Sequence, residues 1–223
     1  MGVEKAKFEE KPVRIMRVQN IDIDLLKPHE ALDPLESKLL IKSINEKGVF
    51  YKPMLVARDS KVIIDGHHRW DGLKRMGVKK IPCILLNYFD DEIKLYTWYP
   101  ILNEKPERIL EIFDYDTLND YEGHFDSYAF IITYRKKYYG LKTEKDVIRH
   151  IEDKGYDFGY VDAIETALKE VENGKTAFLR KAPSKEEVIE KASRNEVFPA
   201  KTTRHWFPYK YPYVYITKEE LVQ

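Results

Sequence analysis

The stretch VIIDGHHRWDGLKRM, residues 62–76, decides the fold of this 223-residue chain. Its apolar start, residues 62–64, predicts a buried strand, and residues 67–76 predict a helix that ends at Gly77. Gly66, between the two elements, lets the backbone approach a ligand closely. A helix that begins at such a turn points free N–H groups and the positive end of its dipole at whatever lies there, which favours a phosphate group.

The side chains around this turn supply charge and hydrogen-bond donors. Arg69 can clamp a phosphate through two hydrogen bonds, and His67 and His68 add further donors. Asp65 would be repelled by a phosphate unless a divalent cation lay between them, and Mg²⁺ is the usual mediator. The alternative is an Asp65 that only caps the helix, with the histidines at the surface. Zinc is disfavoured, because adjacent histidines diverge and this stretch has neither HxH nor HxxxH spacing.

Outward from this stretch, apolar spacing and turn signals predict a mixture of strands and helices. The predicted strands cover residues 13–23, 54–57, 62–64, 81–86, 94–99, 127–134 and 176–180, with a loop over residues 26–30. The predicted helices cover residues 34–47, 67–76, 107–118, 144–154, 162–173 and 184–194, the last with a Ser184–Glu187 capping box. Because strands and helices do not alternate strictly, the pattern favours an α+β fold. We expect two regions, residues 1–99 and residues 100–223, divided near Pro100.

Two further segments concentrate reactive side chains. The loop segment KPHE, residues 27–30, contains Glu30, which can accept the proton of an attacking hydroxyl, and His29, the other candidate base. A solvated loop glutamate is the alternative. The segment KTTRH, residues 201–205, supplies two cations, two hydroxyls and an imidazole, which suits a carboxylate or phosphate pocket. An exposed basic turn is the alternative there.

Composition excludes several classes of protein. Lys plus Arg number 38 and Asp plus Glu number 38, and this zero net charge disfavours nucleic acid as a partner. One cysteine, Cys83, excludes an internal disulfide framework. No apolar run is long enough to span a bilayer and the first residues lack the apolar core of a secretory signal, so we expect a cytoplasmic location. Abundant Lys and Glu with a single Cys is also typical of a thermophile surface.

These segments together resemble a known family. Residues 13–83, with the DGHHR turn before a helix, resemble the ParB/sulfiredoxin-like nucleotide-binding fold. The joint occurrence of five motifs resembles the archaeal free serine kinases: KPHE (27–30), IDGHHRW (64–70), YFD (88–90), YTWYP (96–100) and KTTRH (201–205). Residues 181–188, KAPSKEEV, are similar to that family's pattern before its last motif.

The resemblance implies a small-molecule kinase. Such an enzyme phosphorylates the hydroxyl of free L-serine with ADP and Mg²⁺, giving O-phospho-L-serine and AMP for cysteine biosynthesis. From the residues alone, the donor stays open between ADP and ATP. We expect L-serine and ADP as partners, no membrane, no nucleic acid, and a monomer or small homo-oligomer.

The resemblance also implies residue roles. Glu30 matches the catalytic base, and Asp65 matches an acidic residue beside Mg²⁺ and the transferring phosphate. The phosphate-binding turn corresponds to Gly66, His67, His68 and Arg69. The phosphoserine pocket corresponds to Trp98, Lys201, Thr203, Arg204 and His205. The C-terminal region would then fold back to complete the active site.

Three other functions are weighed against the kinase. Sulfiredoxin chemistry needs a cysteine inside the phosphate turn, whereas Cys83 falls in a predicted buried strand, where a thiol is typically inert. A ParB-like nucleotide-dependent DNA-binding protein would need a helix-turn-helix and a basic face, and neither is evident. A ligand-sensing module without kinase activity stays open from sequence.

Overall fold

The computed structural model describes residues 16–143 and 145–222. The strands, in chain order, are β1 Val18–Asp22, β2 Val49–Phe50, β3 Met54–Ala57, β4 Ile63–Asp65, β5 Lys80–Leu86, β6 Lys94–Tyr96, β7 Tyr99–Leu102, β8 Tyr115–Leu118, β9 Phe130–Tyr134, β10 Lys137–Leu141, β11 Phe158–Val161, β12 Thr176–Leu179, β13 Arg204–Trp206 and β14 Ile216–Thr217. The α-helices are α1 Pro34–Lys47, α2 His67–Arg75, α3 Glu107–Leu110, α4 Lys145–Asp153, α5 Ile164–Glu172, α6 Lys185–Ser193 and α7 Lys218–Leu221. A short 3₁₀ helix covers Ile23–Leu25.

The chain divides into two compact units, and each is discontinuous in sequence. The first unit contains the described residues up to 28, residues 32–94 and the residues from 205 onwards. The second unit contains residues 29–31 and 95–204. The KPHE segment is therefore split between the units after Pro28, and KTTRH is split after Arg204. The domain boundary between residues 99 and 100 stays a prediction.

The first unit is built on a four-stranded sheet in the order β1-β5-β3-β4. β3 and β5 run parallel, and the other two pairings are antiparallel. Helix α1 begins at an Asp33 cap whose carboxylate accepts from the Leu35 N–H, with Pro34 in its first position, and it ends at Gly48 in the left-handed conformation (φ 67°). These local signals fix both ends of the helix at the predicted residues.

The last residues of the chain belong to the core of the first unit. β14 pairs antiparallel with β2, and α7 follows directly with a capping box between Thr217 and Glu220. Leu221 is buried in the same apolar cluster as Phe50, Met54 and Leu73. The C-terminal segment is thus an integral part of this unit.

The second unit is built on a six-stranded sheet, β11-β7-β12-β9-β10-β8, with antiparallel neighbours. Alternate residues of β9 face opposite apolar clusters, since Ile132 packs with Ile151 of α4 and Ile131 packs with Ala167 of α5. The sheet is therefore covered by a helix on each face. Among the described residues, no helix is both long and apolar enough to cross a membrane.

The predicted α+β class is confirmed, and so are most of the predicted elements. The strand expected over residues 13–23 covers Val18–Asp22, with residues 13–15 outside the described part of the chain. The predicted capping box between Ser184 and Glu187 is present at the start of α6. Helix α4, expected from residue 144, covers Lys145–Asp153.

Two predictions are wrong. The helix expected over residues 107–118 stops at Leu110, and Tyr115–Leu118 forms β8 because it pairs with β10, a strand that the apolar pattern did not reveal. The strand expected over residues 94–99 is broken at Thr97 and Trp98. The Thr97 hydroxyl and the Trp98 carbonyl accept hydrogen bonds from the buried Arg180, and the strands on either side belong to different sheets.

Candidate active site

The glycine turn is formed as the sequence predicted. Asp65 ends β4, Gly66 has φ 116°, and α2 begins at His67. A methyl group on Gly66 would lie 2.8 Å from Nε and Nη2 of Arg69 and 3.0 Å from Cγ of Met54. Only glycine therefore suits this position, both for its backbone angle and for the close approach of the Arg69 guanidinium.

Asp65 lies between two cations. Its Oδ2 is 2.9 Å from Arg69 Nη2 and 3.4 Å from Lys52 Nζ. Burial by itself would raise the pKa of Asp65, but the fields of Arg69 and Lys52 outweigh it and hold the pKa below its ordinary value. The carboxylate is therefore ionised and already compensated at neutral pH. Lys52 carries part of that charge balance, although it belongs to none of the sequence motifs.

The turn also contains buried polar atoms that lack a hydrogen-bond partner. His68 Nδ1 and Arg69 Nε are buried without a hydrogen bond to any described residue, whereas Arg69 Nη2 lies 2.9 Å from Asp65 Oδ2. The Arg69 side chain is only 12% exposed. A buried polar atom left unpaired costs about 1–3 kcal/mol, and native proteins pair the great majority of such atoms. An anion placed at the N-terminus of α2 would satisfy them.

Glu30 lies in the second unit on a short stretch of paired backbone. Ala31 N donates to Phe198 O, and Phe198 N donates to His29 O, both over 2.8 Å. The Glu30 carboxylate accepts from the Thr203 N–H over 3.0 Å. The glutamate is thus fixed by backbone groups and is not the solvated loop residue of the alternative reading.

The electrostatic setting of Glu30 suits a base. Burial raises the pKa of Glu30 to about 7, against hydrogen bonds from the backbone of Thr203 and Thr202 and the positive charge of Arg180, which act in the opposite direction. A general base is most effective when its pKa lies near the working pH. Glu30 meets that condition.

His29, the rival base, is in a different position. Its side chain is 0% exposed, and its Nε2 lies 3.0 Å from the Thr203 hydroxyl. Thr203 in turn donates its N–H to Glu30. His29 therefore acts behind Thr203 as a support for the Glu30 site, and its burial argues against direct contact with a substrate.

The candidate substrate-pocket residues fall into two groups. In the second unit, Lys201 Nζ lies 5.3 Å from the Trp98 ring, and the Arg204 guanidinium lies 5.5 Å from that ring and 2.6 Å from Asp162. Thr203 is also in this unit, but it is 7% exposed and its hydroxyl contacts His29. Lys201, Arg204 and Trp98 therefore form a group of two cations around one aromatic ring.

His205 belongs to the first unit. Its Nε2 lies 2.8 Å from the hydroxyl of Tyr88, a residue of the YFD motif that is 3% exposed. This contact joins the YFD motif to the last residue of the KTTRH motif. His205 lies on β13, and the boundary between the two units falls directly before it, after Arg204.

Arg180, like Lys52, lies outside the motifs that the sequence pointed to. It follows the buried strand β12 and is 4% exposed. Its Nε donates to Thr97 Oγ1 over 2.8 Å and to Trp98 O over 3.0 Å, and its Nη groups reach Thr202 Oγ1 and Lys201 O. A charged residue directly after four buried residues, TAFL, was the available signal.

A magnesium ion would find one carboxylate in the phosphate turn. Among the described residues, no three His, Cys, Asp or Glu side chains cluster as a metal site. Mg²⁺ often binds through one or two carboxylates together with substrate phosphate oxygens. Asp65 therefore fits a metal that arrives with a nucleotide, and does not fit a resident metal held by the protein alone.

Cys83 takes no part in the site. It is fully buried on β5, its thiol donates to Ile81 O, and burial raises the pKa of the thiol to about 12. The prediction that this cysteine is buried is confirmed, and a thiol with so high a pKa is a poor nucleophile.

Comparison with known proteins shows which family the chain belongs to. A family model described as the ParB N-terminal domain matches residues 3–97. An ADP-dependent L-serine kinase from Thermococcus kodakarensis is 37% identical, over 99% of this chain and all of that protein. An ATP-dependent L-serine kinase from Staphylothermus marinus is also 37% identical, over 89% of this chain and 88% of that protein. The chain belongs to this family of archaeal L-serine kinases.

Solved structures agree over nearly the whole chain. A free serine kinase in complex with AMP superimposes with a TM-score of 0.83 at 32% identity, covering 99% of this chain and 100% of that one. A free serine kinase with the substitution E30A, in complex with ADP, gives a TM-score of 0.86 at 31% identity, covering 96% of this chain and 98% of that one. A likeness this extensive includes residues 101–174, which the quoted motifs left out.

Proposed function

We propose that this protein phosphorylates the hydroxyl of free L-serine with ADP, giving O-phospho-L-serine and AMP. The observation that carries the proposal is the Glu30 carboxylate, held by the Thr203 N–H with its pKa raised to about 7. The relatives named as L-serine kinases support the same acceptor, and the ADP complex of a free serine kinase supports the donor. The product would feed cysteine biosynthesis.

Glu30 is proposed as the catalytic base. As the serine oxygen attacks the β-phosphorus of ADP, a new P–O bond forms and the bond from that phosphorus to the bridging oxygen breaks. AMP leaves with the electron pair, and the serine hydroxyl proton passes to Glu30. A positioned base of this kind contributes about 10²–10⁴-fold. The related enzyme studied with E30A carries its substitution at the number that this glutamate bears here.

The phosphate turn is proposed to bind the nucleotide. The N–H groups at the start of α2, together with His67, His68 and Arg69, would hold phosphate oxygens beside Gly66. Asp65 would bind Mg²⁺ directly or through water. The metal, when bound with the nucleotide, supplies positive charge to the phosphates, and phosphoryl transfer depends mainly on such positioning and neutralisation.

The remaining motif residues are proposed to hold the amino acid. Lys201 and Arg204 supply positive charge for the carboxylate of serine and the phosphate of the product, and Trp98 gives them an aromatic surface. Thr203 and His205 complete the proposed set. The protein would act in the cytoplasm as a monomer or small homo-oligomer.

The test is a direct assay of product. Purified protein is incubated with L-serine, Mg²⁺ and either ADP or ATP, and ³¹P NMR follows phosphoserine and the nucleotide product. We expect phosphoserine and AMP with ADP, and neither with Glu30→Gln at comparable enzyme concentration.

The donor and the non-enzymatic alternative are settled in the same experiment. Phosphoserine with ATP but not with ADP would overturn the proposed donor. Tight nucleotide binding without phosphoserine from either nucleotide would overturn the kinase and favour a ligand-sensing module.

A further inference from the structure

Arg180 joins two segments of the second unit that are far apart in sequence. On one side it donates to Thr97 Oγ1 and Trp98 O, over 2.8 and 3.0 Å. On the other side it donates to Lys201 O and Thr202 Oγ1. One planar guanidinium thus ties the YTWYP motif to the KTTRH motif. Its fork of N–H groups suits this task in a way that the point charge of lysine does not.

The segment that Arg180 grips is strained. Lys201 has φ 64°, a left-handed backbone conformation that is unfavourable for a residue with a Cβ atom. Its carbonyl accepts a hydrogen bond from Arg180, and the next two residues supply backbone N–H groups to Glu30. The Thr202 hydroxyl also donates to Pro199 O over 2.8 Å, which closes the turn. These contacts hold the turn in the conformation that presents those N–H groups to Glu30.

The charge of Arg180 also acts on Glu30. The groups that face this carboxylate are the Thr202 and Thr203 N–H groups, the Thr203 hydroxyl and the Arg180 guanidinium. The His29 imidazole lies behind Thr203, and the backbone of Phe198 pairs with the segment that contains Glu30. Arg180 is thus the charged side chain that favours the ionised form of Glu30, in opposition to burial.

We infer that Arg180 is a positioning residue for the base. It fixes the 199–203 turn against Thr97 and Trp98, aims the turn's N–H groups at Glu30, and keeps enough of Glu30 ionised to accept a proton. This inference rests on the proposed role of Glu30, and it assigns to Arg180 no contact with either substrate.

The experiment compares Arg180→Met, Arg180→Lys and the control Arg194→Met. Arg194 lies in the same unit, pairs with Glu190 and has a side chain 63% exposed, so its substitution removes the same charge from a remote surface. The infrared carboxyl band that is lost in Glu30→Gln is titrated against pH in each protein. This measurement needs no turnover, so it stands even if no phosphoserine is made.

We expect the Glu30 midpoint to rise by about one pH unit in Arg180→Met and to stay unchanged in Arg194→Met. The Kd for ADP should change less than twofold in both, while kcat at pH 7 falls about tenfold or more in Arg180→Met. An unshifted midpoint in folded Arg180→Met would overturn the inference.

Arg180→Lys keeps the positive charge but loses the planar set of N–H donors. It tests the positioning role if Arg180→Met does not fold. We expect its Glu30 midpoint near that of the unsubstituted protein and its kcat reduced at least tenfold, with unchanged ADP affinity. A full kcat in Arg180→Lys would overturn the positioning role.

Discussion

At the scale of single residues, the Glu30 carboxylate shows three effects in competition. Hydrogen bonds from the Thr203 and Thr202 backbone and the charge of Arg180 each favour ionisation, and burial opposes them and prevails. The result is a carboxyl group with a pKa of about 7 instead of its ordinary 4.5. Such a group can accept a proton at neutral pH more readily than a solvated glutamate.

The pH profile should report this pKa. Because Glu30 must be ionised to accept a proton, kcat/KM should fall about tenfold for each pH unit below 7 and level off above it. Initial rates from pH 5 to 9 at fixed Mg²⁺ measure the profile. Glu30→Gln should reduce the rate about 10²–10⁴-fold and lose this acidic limb. If His29→Ala abolished turnover while Glu30→Gln retained it, the base would be the histidine.

Because burial raises the pKa of Glu30, the free energy of unfolding should decrease as the pH rises from 4.5 to about 7. The folded protein binds a proton at Glu30 between pH 4.5 and about 7 that the unfolded chain has released, so this contribution to stability is present below pH 4.5 and is lost as pH rises through 7. The loss is about 3 kcal/mol, for a pKa raised from 4.5 to about 7 at 1.36 kcal/mol per pKa unit. Glu30→Gln should therefore raise Tm by a few degrees at pH 8 and by less at pH 5.

Differential scanning calorimetry at the two pH values measures this effect, with the exposed Glu111→Gln as the control. An equal change in Tm at pH 5 and pH 8 would show that the carboxyl is not strained by burial. Greater stability together with lost turnover would mark Glu30 as a residue kept for activity.

At the scale of elements, the glycine turn is the most sharply determined part of the site. Gly66→Ala would place a methyl group 2.8 Å from the Arg69 guanidinium on a backbone with φ 116°. We expect at least tenfold weaker ADP binding, because the guanidinium must move away from the turn. The matched control is Gly77→Ala, which has φ 80° but no atom within 4 Å of the added methyl group.

Isothermal titration with ADP and thermal unfolding separate the two variants. Both should lose stability from backbone strain, and only Gly66→Ala should lose nucleotide affinity. Equal affinity losses would remove the turn from the nucleotide site.

The elements that sequence predicts well are those with local signals. Helix α1 has its Asp33 cap and Gly48 stop within its own sequence, and the DGHHR turn is a continuous motif. By contrast, Tyr115–Leu118 becomes a strand only because β10 lies beside it, about 20 residues further on. Tertiary pairing overrides local spacing there.

The site follows the same division. Glu30 and Asp65 stand in recognisable motifs, whereas Lys52 and Arg180 are lone cations whose meaning depends on contacts formed after folding. The Thr203 N–H that holds Glu30 is a backbone group and leaves no mark in the sequence. A charged residue directly after a buried strand, such as Arg180, indicates a buried charge that needs hydrogen-bond partners from elsewhere in the fold.

At the scale of the whole molecule, neither compact unit is a continuous piece of chain. The first unit needs the residues from 205 onwards, and the second needs residues 29–31. A cut at residue 99 would therefore remove β14 and α7 from the first unit. Leu221 and Ile216, which pack with Phe50 in its core, would be lost.

A fragment of residues 1–99 should be less stable than the same fragment joined to residues 205–223 by a flexible Gly/Ser linker. Burial of one large apolar side chain is worth roughly 1.5–3 kcal/mol, so the loss of Leu221 alone predicts a Tm lower by several degrees. Circular dichroism during heating measures both fragments. Equal Tm values would show that residues 1–99 form a self-sufficient domain.

The late position of the C-terminal segment has a consequence during protein synthesis. Domains generally fold as units while the chain leaves the ribosome, N-terminal first. Here the N-terminal unit cannot finish its core until β14 and α7 have emerged, after about a hundred residues of the second unit. A nascent chain halted before Leu221 leaves Phe50 uncovered, so an unfinished product carries an exposed apolar patch by which chaperones and proteases can distinguish it from the completed enzyme.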